Sequence, residues 1–282
     1  QMCIRDSVAG THLAGFGLTE PGAGSDAGGT QTTAALEDGQ WRINGAKEFI
    51  TNSGTDITSL VTVTAVTGTV EGRTGHDGRP AKEISTILVP AGTEGFSVAK
   101  AYDKVGWNSS DTHALHFSDV RVPEENLLGA RGRGFAHFLE ILDEGRIAIA
   151  ALATGAAQGC VDESVAYAKQ RTSFGQKIGQ FQAVSFKIAR MQARAHAARL
   201  AYYEAAQKML AGKPFKTEAA MAKLIAGEAA MDNARDATQV FGGYGFMNET
   251  LVARHYRDSK ILEVGEGTTE VQLMLIAREL GL

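Results

Sequence analysis

The sequence predicts an α+β multidomain chain: an antiparallel β-barrel or sandwich followed by a C-terminal antiparallel four-helix bundle. Three observations predict it. Glycine is concentrated towards one end, with 20 of the 33 glycines before residue 135. The same part carries short β-branched runs at regular spacing, with no helical period between them. From about Gly134 onward the apolar residues recur every three or four positions instead. A length of 282 residues accommodates two such cores, at roughly 150 residues per domain. The shifts divide the chain into 1–10, a non-native or disordered start, 11–130, the β-domain, and 131–282, the bundle.

Taken in order, Gln1–Ser7 has neither the basic-then-apolar order of a signal peptide nor any periodicity. Position 1 is not Met, so the start reads as a cloning or assembly scar on a truncated chain. Asp38-Gly39 and Asn44-Gly45 are tight-turn dipeptides. They bracket a strand at Gln40–Ile43, with Thr32–Leu36 before it and Lys47–Thr51 after it. Further strands are expected at Leu60–Val66, Ser85–Val89, Phe96–Lys100 and His113–Phe117, and the polar stretch Gly68–Ala81 is expected to be a mobile loop. In the second part Phe138, Leu142, Ile149, Leu152 and Ala156 mark a long helix. Val184, Ile188, Met191, Ala195, Ala198 and Tyr202 form one apolar stripe, and Leu224, Gly227, Met231, Ala234, Thr238 and Phe241 another. Gly179 and Gly212-Lys213-Pro214 separate helices. Thr269-Glu270-Val271-Gln272 has capping-box spacing ahead of a last helix ending near Leu280.

Composition narrows the function. With 28 Lys+Arg against 32 Asp+Glu the formal charge is −4, which argues against nucleic acid or an anionic membrane surface as the main partner. No uncharged apolar run is long enough to span a bilayer. The best candidate, Ile147 to Val161, contains Gln158 and stops at Asp162. Two cysteines, Cys3 and Cys160, rule out a disulfide framework and a Cys-rich metal site, and the chain is expected to be cytoplasmic.

Gly22-Ala23-Gly24-Ser25-Asp26-Ala27 fits the loose dinucleotide fingerprint, but Pro21 before it and Gly28-Gly29 after it leave no room for the required helix start. What remains is a glycine-rich loop that can offer backbone N–H groups and a hydroxyl to a ligand, or a plain turn. His113 and His116 point to opposite faces of a strand and read as two half-exposed histidines, so no metal site is expected. Glu266 lies between two glycines just before a helix. Such a carboxylate can serve as a general base with a raised pKa; on spacing alone it is a surface glutamate. Arg171–Gly175 and Phe241–Gly245 read as glycine-capped helix ends, and Arg146 as a solvated charge.

Six segments in order change those readings: Phe16–Asp26 (FGLTEPGAGSD), Asn44–Ser53 (NGAKEFITNS), Arg171–Gln182 (RTSFGQKIGQFQ), Gln239–Gly245 (QVFGGYG), His255–Asp258 (HYRD) and Glu266–Gln272 (EGTTEVQ). Together they resemble the acyl-CoA dehydrogenase family from about Ala14 to Leu282. The resemblance implies a middle β-domain and a C-terminal bundle, with FAD in a cleft between them. It also implies a further N-terminal helical domain and assembly as a homodimer or homotetramer. Its chemistry is oxidation of acyl-CoA thioesters to trans-2-enoyl-CoA, with Glu266 taking the α-proton, a hydride passing to flavin N5, and electrons leaving to an electron-transfer flavoprotein. It places Phe16, Leu18, Thr19, Gly24, Ser25, Phe49 and Thr51 on the flavin, with Ser25 also reaching the CoA side. Arg171, Ser173, Phe174, Gln182, Gln239, Gly242 and Gly243 fall on the FAD phosphates and adenine, in part from a partner subunit. Thr268 and Glu270 touch the cofactor near the base. Asp143, Arg146 and Gly267 belong to the substrate side.

Three departures stand out. Gly265 replaces a frequent Tyr, which opens the acyl pocket. Phe49 replaces a frequent Trp, which keeps stacking and loses an N–H donor. Some relatives carry the base on the long helix, at the position that is Gly145 here, with Glu144 one residue and about 100° away. Two further readings accompany the resemblance: an acyl-CoA oxidase-like flavoenzyme, and a non-catalytic, nucleic-acid-binding relative or inactive fragment.

Overall fold

The computed structural model describes residues 2–75 and 78–282, with side chains from residue 5 onward. The chain divides into two compact units, Gln1–Lys104 with Asn108–Glu140, and Val105–Trp107 with Ile141–Leu282.

The first unit opens with a short helix, α1 (Met2–Val8), where the sequence suggested no regular structure. Its end is closed by the Thr11 N–H, which donates to Asp6 O at 2.9 Å. An eight-stranded sheet follows: β1 (Leu13–Gly17), β2 (Thr33–Glu37), β3 (Gln40–Thr51), β4 (Thr58–Thr74), β5 (Pro80–Pro90), β6 (Phe96–Val98), β7 (Thr112–Pro123) and β8 (Leu127–Leu128). The strand order is β6-β7-β3-β2-β4-β5-β8, with β1 also paired to β4. All pairings are antiparallel except two, β1 with β4 and β2 with β4, which are parallel. β1 was not foreseen from the sequence. It lies along β4 from Thr58 to Val63, and β2 meets the same strand at Val66. The glycine-rich segment 18–32 therefore leaves one edge and returns to it, which makes it a projecting loop. A 3₁₀ turn at Ala27–Gly29 is the only helical piece there, consistent with exclusion of a dinucleotide-binding βα turn.

Asp38-Gly39 forms the expected two-residue hairpin, with both residues at positive φ (50° and 75°) and Glu37 paired to Gln40. Asn44-Gly45 does not turn the chain: β3 runs straight through it. Here β7 carries one extra residue, and the Asn44 side chain accepts from the Asp119 N–H at 2.8 Å to satisfy that bulge. Gly45 has φ 151°, and a Cβ there would stand 2.4 Å from Thr32 Oγ1 and 2.7 Å from Thr32 Cα. Glycine is required for strand approach, not for reversal. Gly45→Ala is expected to cost about 1–3 kcal/mol, read as a lower urea midpoint with an unchanged m-value.

Most of the polar stretch expected as a loop, Gly68–Ala81, is paired strand, with Gly68 opposite Glu83 and Thr69 opposite Lys82. The ladder is held by backbone groups and needs no apolar side chains on a solvated hairpin; His76 and Asp77 lie outside the described residues. The core is built by alternation from Trp41, Ile43, Val61, Val63, Ile87, Val89, Leu115 and Val120. His113 is buried rather than half-exposed, its ring bonded to Ala99 O at 2.7 Å and Asp111 Oδ1 at 2.6 Å, whereas His116 is exposed.

The second unit is helical: α2 (Gly134–Gln170, entering it at Ile141), α3 (Gln182–Leu210), α4 (Lys216–Phe241), α5 (Leu251–Ser259), α6 (Ile261–Val264) and α7 (Thr269–Glu279). A two-stranded hairpin, β9 (Thr172–Ser173) with β10 (Gln176–Lys177), joins α2 to α3. The α3 stripe is inward as expected, with Met191, Ala195 and Ala198 fully buried. On α2 the buried face runs instead through Ala150, Ala153, Ala157 and Cys160, and Leu152 is exposed. On α4 it is a broad alanine face, including Ala219, Ala222, Ala226, Ala230 and Ala237. Small residues let helices approach closely, so the seam follows alanine rather than the large side chains that mark an ordinary stripe. Among the described residues, no helix is long and apolar enough to cross a membrane.

Candidate active site

In the β unit, the flavin-assigned residues sit on two neighbouring backbone segments. One is the end of β1 with the loop that follows it, Phe16 to Ser25; the other is the end of β3, Phe49 to Thr51. The Glu48 N–H donates to Thr19 O at 2.9 Å, which ties one segment to the other. Behind them lies a feature the motifs contained but the sequence analysis did not single out. Lys47 is fully buried, and its Nζ donates to Glu20 Oε1 (2.7 Å), Thr64 Oγ1 (2.9 Å) and Leu18 O (3.1 Å). Glu20 also accepts the backbone N–H groups of Gln31 (2.6 Å) and Thr32 (3.1 Å). The pair thus fastens both ends of the projecting loop to the sheet. Burial pushes the Lys47 ammonium down to about 8 against the pull of Glu20. Burial also opposes ionisation of Glu20, but Lys47 and the backbone donors hold its carboxyl below the usual range. One signal was available: counted by twos from Trp41 and Ile43, position 47 faces inward.

The site side chains themselves remain open. Phe49 is 65 % exposed and Phe16 stacks on Phe138 with ring centroids 4.0 Å apart. Leu18 and Thr19 are half-buried, Gly24, Ser25 and Thr51 are exposed, and nothing lies within 4 Å of a Cβ placed on Gly24. Phe49 lies within a one-residue bulge between Lys47 and Ile50 and has φ 60°. Positive φ is costly for a bulky residue. Seven non-glycine described residues adopt it, and three of them are Phe49, Phe174 and Glu266. Strain thus recurs at residues singled out for chemistry.

In the helical unit a groove of about 560 Å³ brings together four of the residues assigned to the FAD phosphates: Arg171, Ser173, Gly242 and Gly243. A Cβ on either glycine would meet nothing within 4 Å, so a ligand can reach the backbone. Arg171 lies over the Tyr244 ring at 6.0 Å and keeps its guanidinium at the surface. An exposed cation beside bare backbone suits a phosphate. Phe174 is 93 % exposed at the hairpin tip. Gln182 and Gln239 are exposed and do not line this groove.

Glu266 has φ 55° and belongs to the turn between α6 and α7. It faces α2, where a Cβ on Gly145 would stand 3.4 Å from its Oε2. The residue keeps open surface, yet burial pushes its carboxyl above the usual range, with Lys223 and Arg146 pulling the other way. Its own backbone N–H makes no hydrogen bond among the described residues. The cap of α7 falls one residue earlier than the capping-box spacing suggested. Thr268, not Thr269, accepts the Val271 N–H, at 3.3 Å. Glu270 lies in the exposed first turn, its carboxyl held low by its own backbone N–H and the Thr268 hydroxyl.

Arg146 is not a solvated charge: it is 5 % exposed and paired with Asp143, which also receives Lys216 at 3.0 Å. The Arg146 Nε is buried without a hydrogen-bond partner. Gly267, half-buried with φ 89°, accepts from both Lys223 and Gln272. Neither of those two buried donors was singled out from the sequence. Cys160 is buried and burial pushes its thiol up to about 12, so it is no nucleophile. Among the described residues no group of His, Cys, Asp and Glu could hold a metal ion.

Comparison with known proteins identifies the family of the chain. The profile of the acyl-CoA dehydrogenase middle domain matches residues 15–120, and that of the acyl-CoA dehydrogenase C-terminal domain matches 132–281. The short-chain-specific acyl-CoA dehydrogenase of Megasphaera elsdenii is 46% identical over 269 residues, covering 95% of this chain and 68% of that protein. The solved butyryl-CoA dehydrogenase of Megasphaera elsdenii superposes with a TM-score of 0.90 at 44% identity, over 98% of this chain and 70% of that one. A structure described as the FAD complex of PigA superposes with a TM-score of 0.90 at 32% identity, over 99% and 70%. The chain belongs to the acyl-CoA dehydrogenase family, FAD-dependent oxidoreductases that act on CH–CH donors.

Proposed function

We propose that this chain carries the catalytic residues for FAD-dependent α,β-dehydrogenation of acyl-CoA thioesters, with Glu266 as the base. One observation carries the reading: the Glu266 carboxylate and the unbonded N–H of the same residue are held together on a strained turn facing α2. A thioester α-C–H is a weak acid, so removing it requires two groups at once. The carboxylate accepts the α-proton, and the backbone N–H donates to the thioester carbonyl, where negative charge develops. The raised affinity of Glu266 for a proton, caused first by burial, suits it to accept one from carbon. Arg146, paired with Asp143, is assigned to the CoA portion of the substrate.

The residues present fit FAD. Bound flavin supplies the two-electron acceptor for the hydrogen leaving the β-carbon. Phe49 offers an exposed ring to its face, Ser25 and Thr51 offer hydroxyls, and Arg171 with Gly242 and Gly243 offers a cation and bare backbone to its phosphates. Phe174, projecting from its hairpin, we assign to the cofactor of a neighbouring copy. Electrons then leave to an electron-transfer flavoprotein.

The test is anaerobic titration of the FAD-loaded protein with a saturated acyl-CoA series beginning at butyryl-CoA. Bleaching of the flavin with formation of the 2-enoyl thioester is expected, and with an electron-transfer flavoprotein present turnover exceeds peroxide formation. With glycine at 265, where the atoms nearest to an added Cβ belong to Ile261, longer and branched chains should remain substrates. Bound FAD that no acyl-CoA bleaches would overturn the proposal; peroxide as the main product would reassign it to an oxidase.

A further inference from the structure

The turn that carries Glu266 is held from behind by two buried donors. Lys223 of α4 is 1 % exposed, and its Nζ donates to the Gly267 carbonyl oxygen at 2.7 Å. Gln272 of α7 is fully buried, and its Nε2 donates to the same oxygen at 2.9 Å. A Cβ on Gly267 would stand 2.7 Å from that Nε2, so this clamp also requires glycine beside the base. Left-handed backbone at a glutamate costs about 1–3 kcal/mol and persists only where the surroundings enforce it. Two side chains converging on the next carbonyl are such an enforcement.

The clamp also carries charge. The groups that face it come from every helix packed around the turn. Glu263 of α6 is bridged to Lys260 at 2.6 Å, and Glu270 begins α7. Arg146 of α2 is bound to Asp143, which takes Lys216 at 3.0 Å, and Glu228 of α4 lies near Glu263. Lys223 is attracted by Glu263, Glu266 and Glu270 and repelled by Arg146, while burial pushes its ammonium down to about 8. It is therefore a cation kept in an apolar helix face at a cost that nothing in the packing of α4 requires.

We propose that Lys223 is a positioning residue for the base: with Gln272 it clamps the Gly267 carbonyl, fixes the turn that aims Glu266, and sets a positive charge beside that carboxylate. The proposal rests on Glu266 being the base, and its test separates the two ideas. Carboxylate carbon NMR follows the titration of Glu266, with Glu266→Gln identifying its resonance. In Lys223→Met the Glu266 midpoint should rise by about one pH unit. Linkage demands the reciprocal effect: in Glu266→Gln the Lys223 ammonium midpoint, read on its Nζ, should fall by a comparable amount. In turnover, Lys223→Met should lose about tenfold or more in kcat with KM within about twofold, and Lys223→Arg should restore the Glu266 midpoint. A purely structural lysine would lower thermal stability and leave both midpoints where they were. Should Lys223→Met not fold, the reciprocal arm in Glu266→Gln decides alone. A Lys223 midpoint unmoved in that arm overturns the proposal and leaves the base intact. Full turnover by Glu266→Gln overturns the base, whatever the midpoints show.

Discussion

Glu266→Gln should abolish turnover while leaving the cofactor in place. Glutamine keeps the shape and the backbone N–H of residue 266 but cannot accept a proton, so only the proton transfer is removed. General-base catalysis contributes roughly 10²–10⁴-fold, and here no second carboxylate on the same turn is free: Glu263 is bridged to Lys260 and Glu270 points into the exposed first turn of α7. A fall in kcat of about a thousandfold is expected, with the visible flavin spectrum and the acyl-CoA binding constant unchanged. A companion variant tests the position rather than the residue. The Gly145 backbone already faces Glu266 Oε2, a Cβ there lying 3.4 Å away. Glu266→Gly with Gly145→Glu moves the carboxylate to the long helix while glycine relieves the left-handed strain at 266. Activity should return to within about a hundredfold of the unaltered protein, with no loss of thermal stability from position 266. Turnover by Glu266→Gln above about a tenth of normal would refute the assignment.

How far the sequence foretells such a site differs from residue to residue. Asp38-Gly39 is read correctly because a two-residue reversal depends only on the conformations of those two residues. Asn44-Gly45 is misread because its glycine serves Thr32, twelve or more positions earlier in the chain, and local pattern holds no trace of that neighbour. The helices of the second unit are legible as helices, but the inward faces of α2 and α4 are not, since alanine marks a seam only once a partner helix is known. Glu266 is conspicuous by its flanking glycines, yet the left-handed turn, the facing Gly145 and the Lys223–Gln272 clamp all come from elements far apart in sequence. Arg146 is read as solvated because a charge in a helix usually is; its burial depends on Asp143, itself three residues away, and on packing that spacing does not encode. The six motifs mark segments, not roles. They do not distinguish residues with open side chains, such as Phe49, from those that hold the frame, such as Glu20 and Lys47.

The frame gives the largest expected effect on stability. Lys47→Met removes one partner of a pair whose side chains are 0 % and 4 % exposed, and leaves Glu20 buried with only the backbone donors of Gln31 and Thr32. Breaking such a pair costs about 3–5 kcal/mol, whereas replacing both partners by uncharged groups of similar volume is often close to neutral. The double variant Lys47→Met, Glu20→Gln should therefore recover part of the loss, because glutamine can still accept from Gln31 and Thr32; the urea midpoints of the four proteins measure the coupling. Titration supplies an independent check. Lys47 in the folded chain loses its proton at about 8, below its ordinary 10.5. Between those values the unfolded chain binds more protons than the folded one, so this group makes stability rise with pH across the window. Lys223 acts in the same sense and the same range, being pushed down to about 8 as well. In Lys47→Met the alkaline rise should be shallower by the contribution of one lysine, leaving that of Lys223. An unchanged slope, or a loss below about 1 kcal/mol at neutral pH, would mean that the projecting loop holds its place without the buried ion pair.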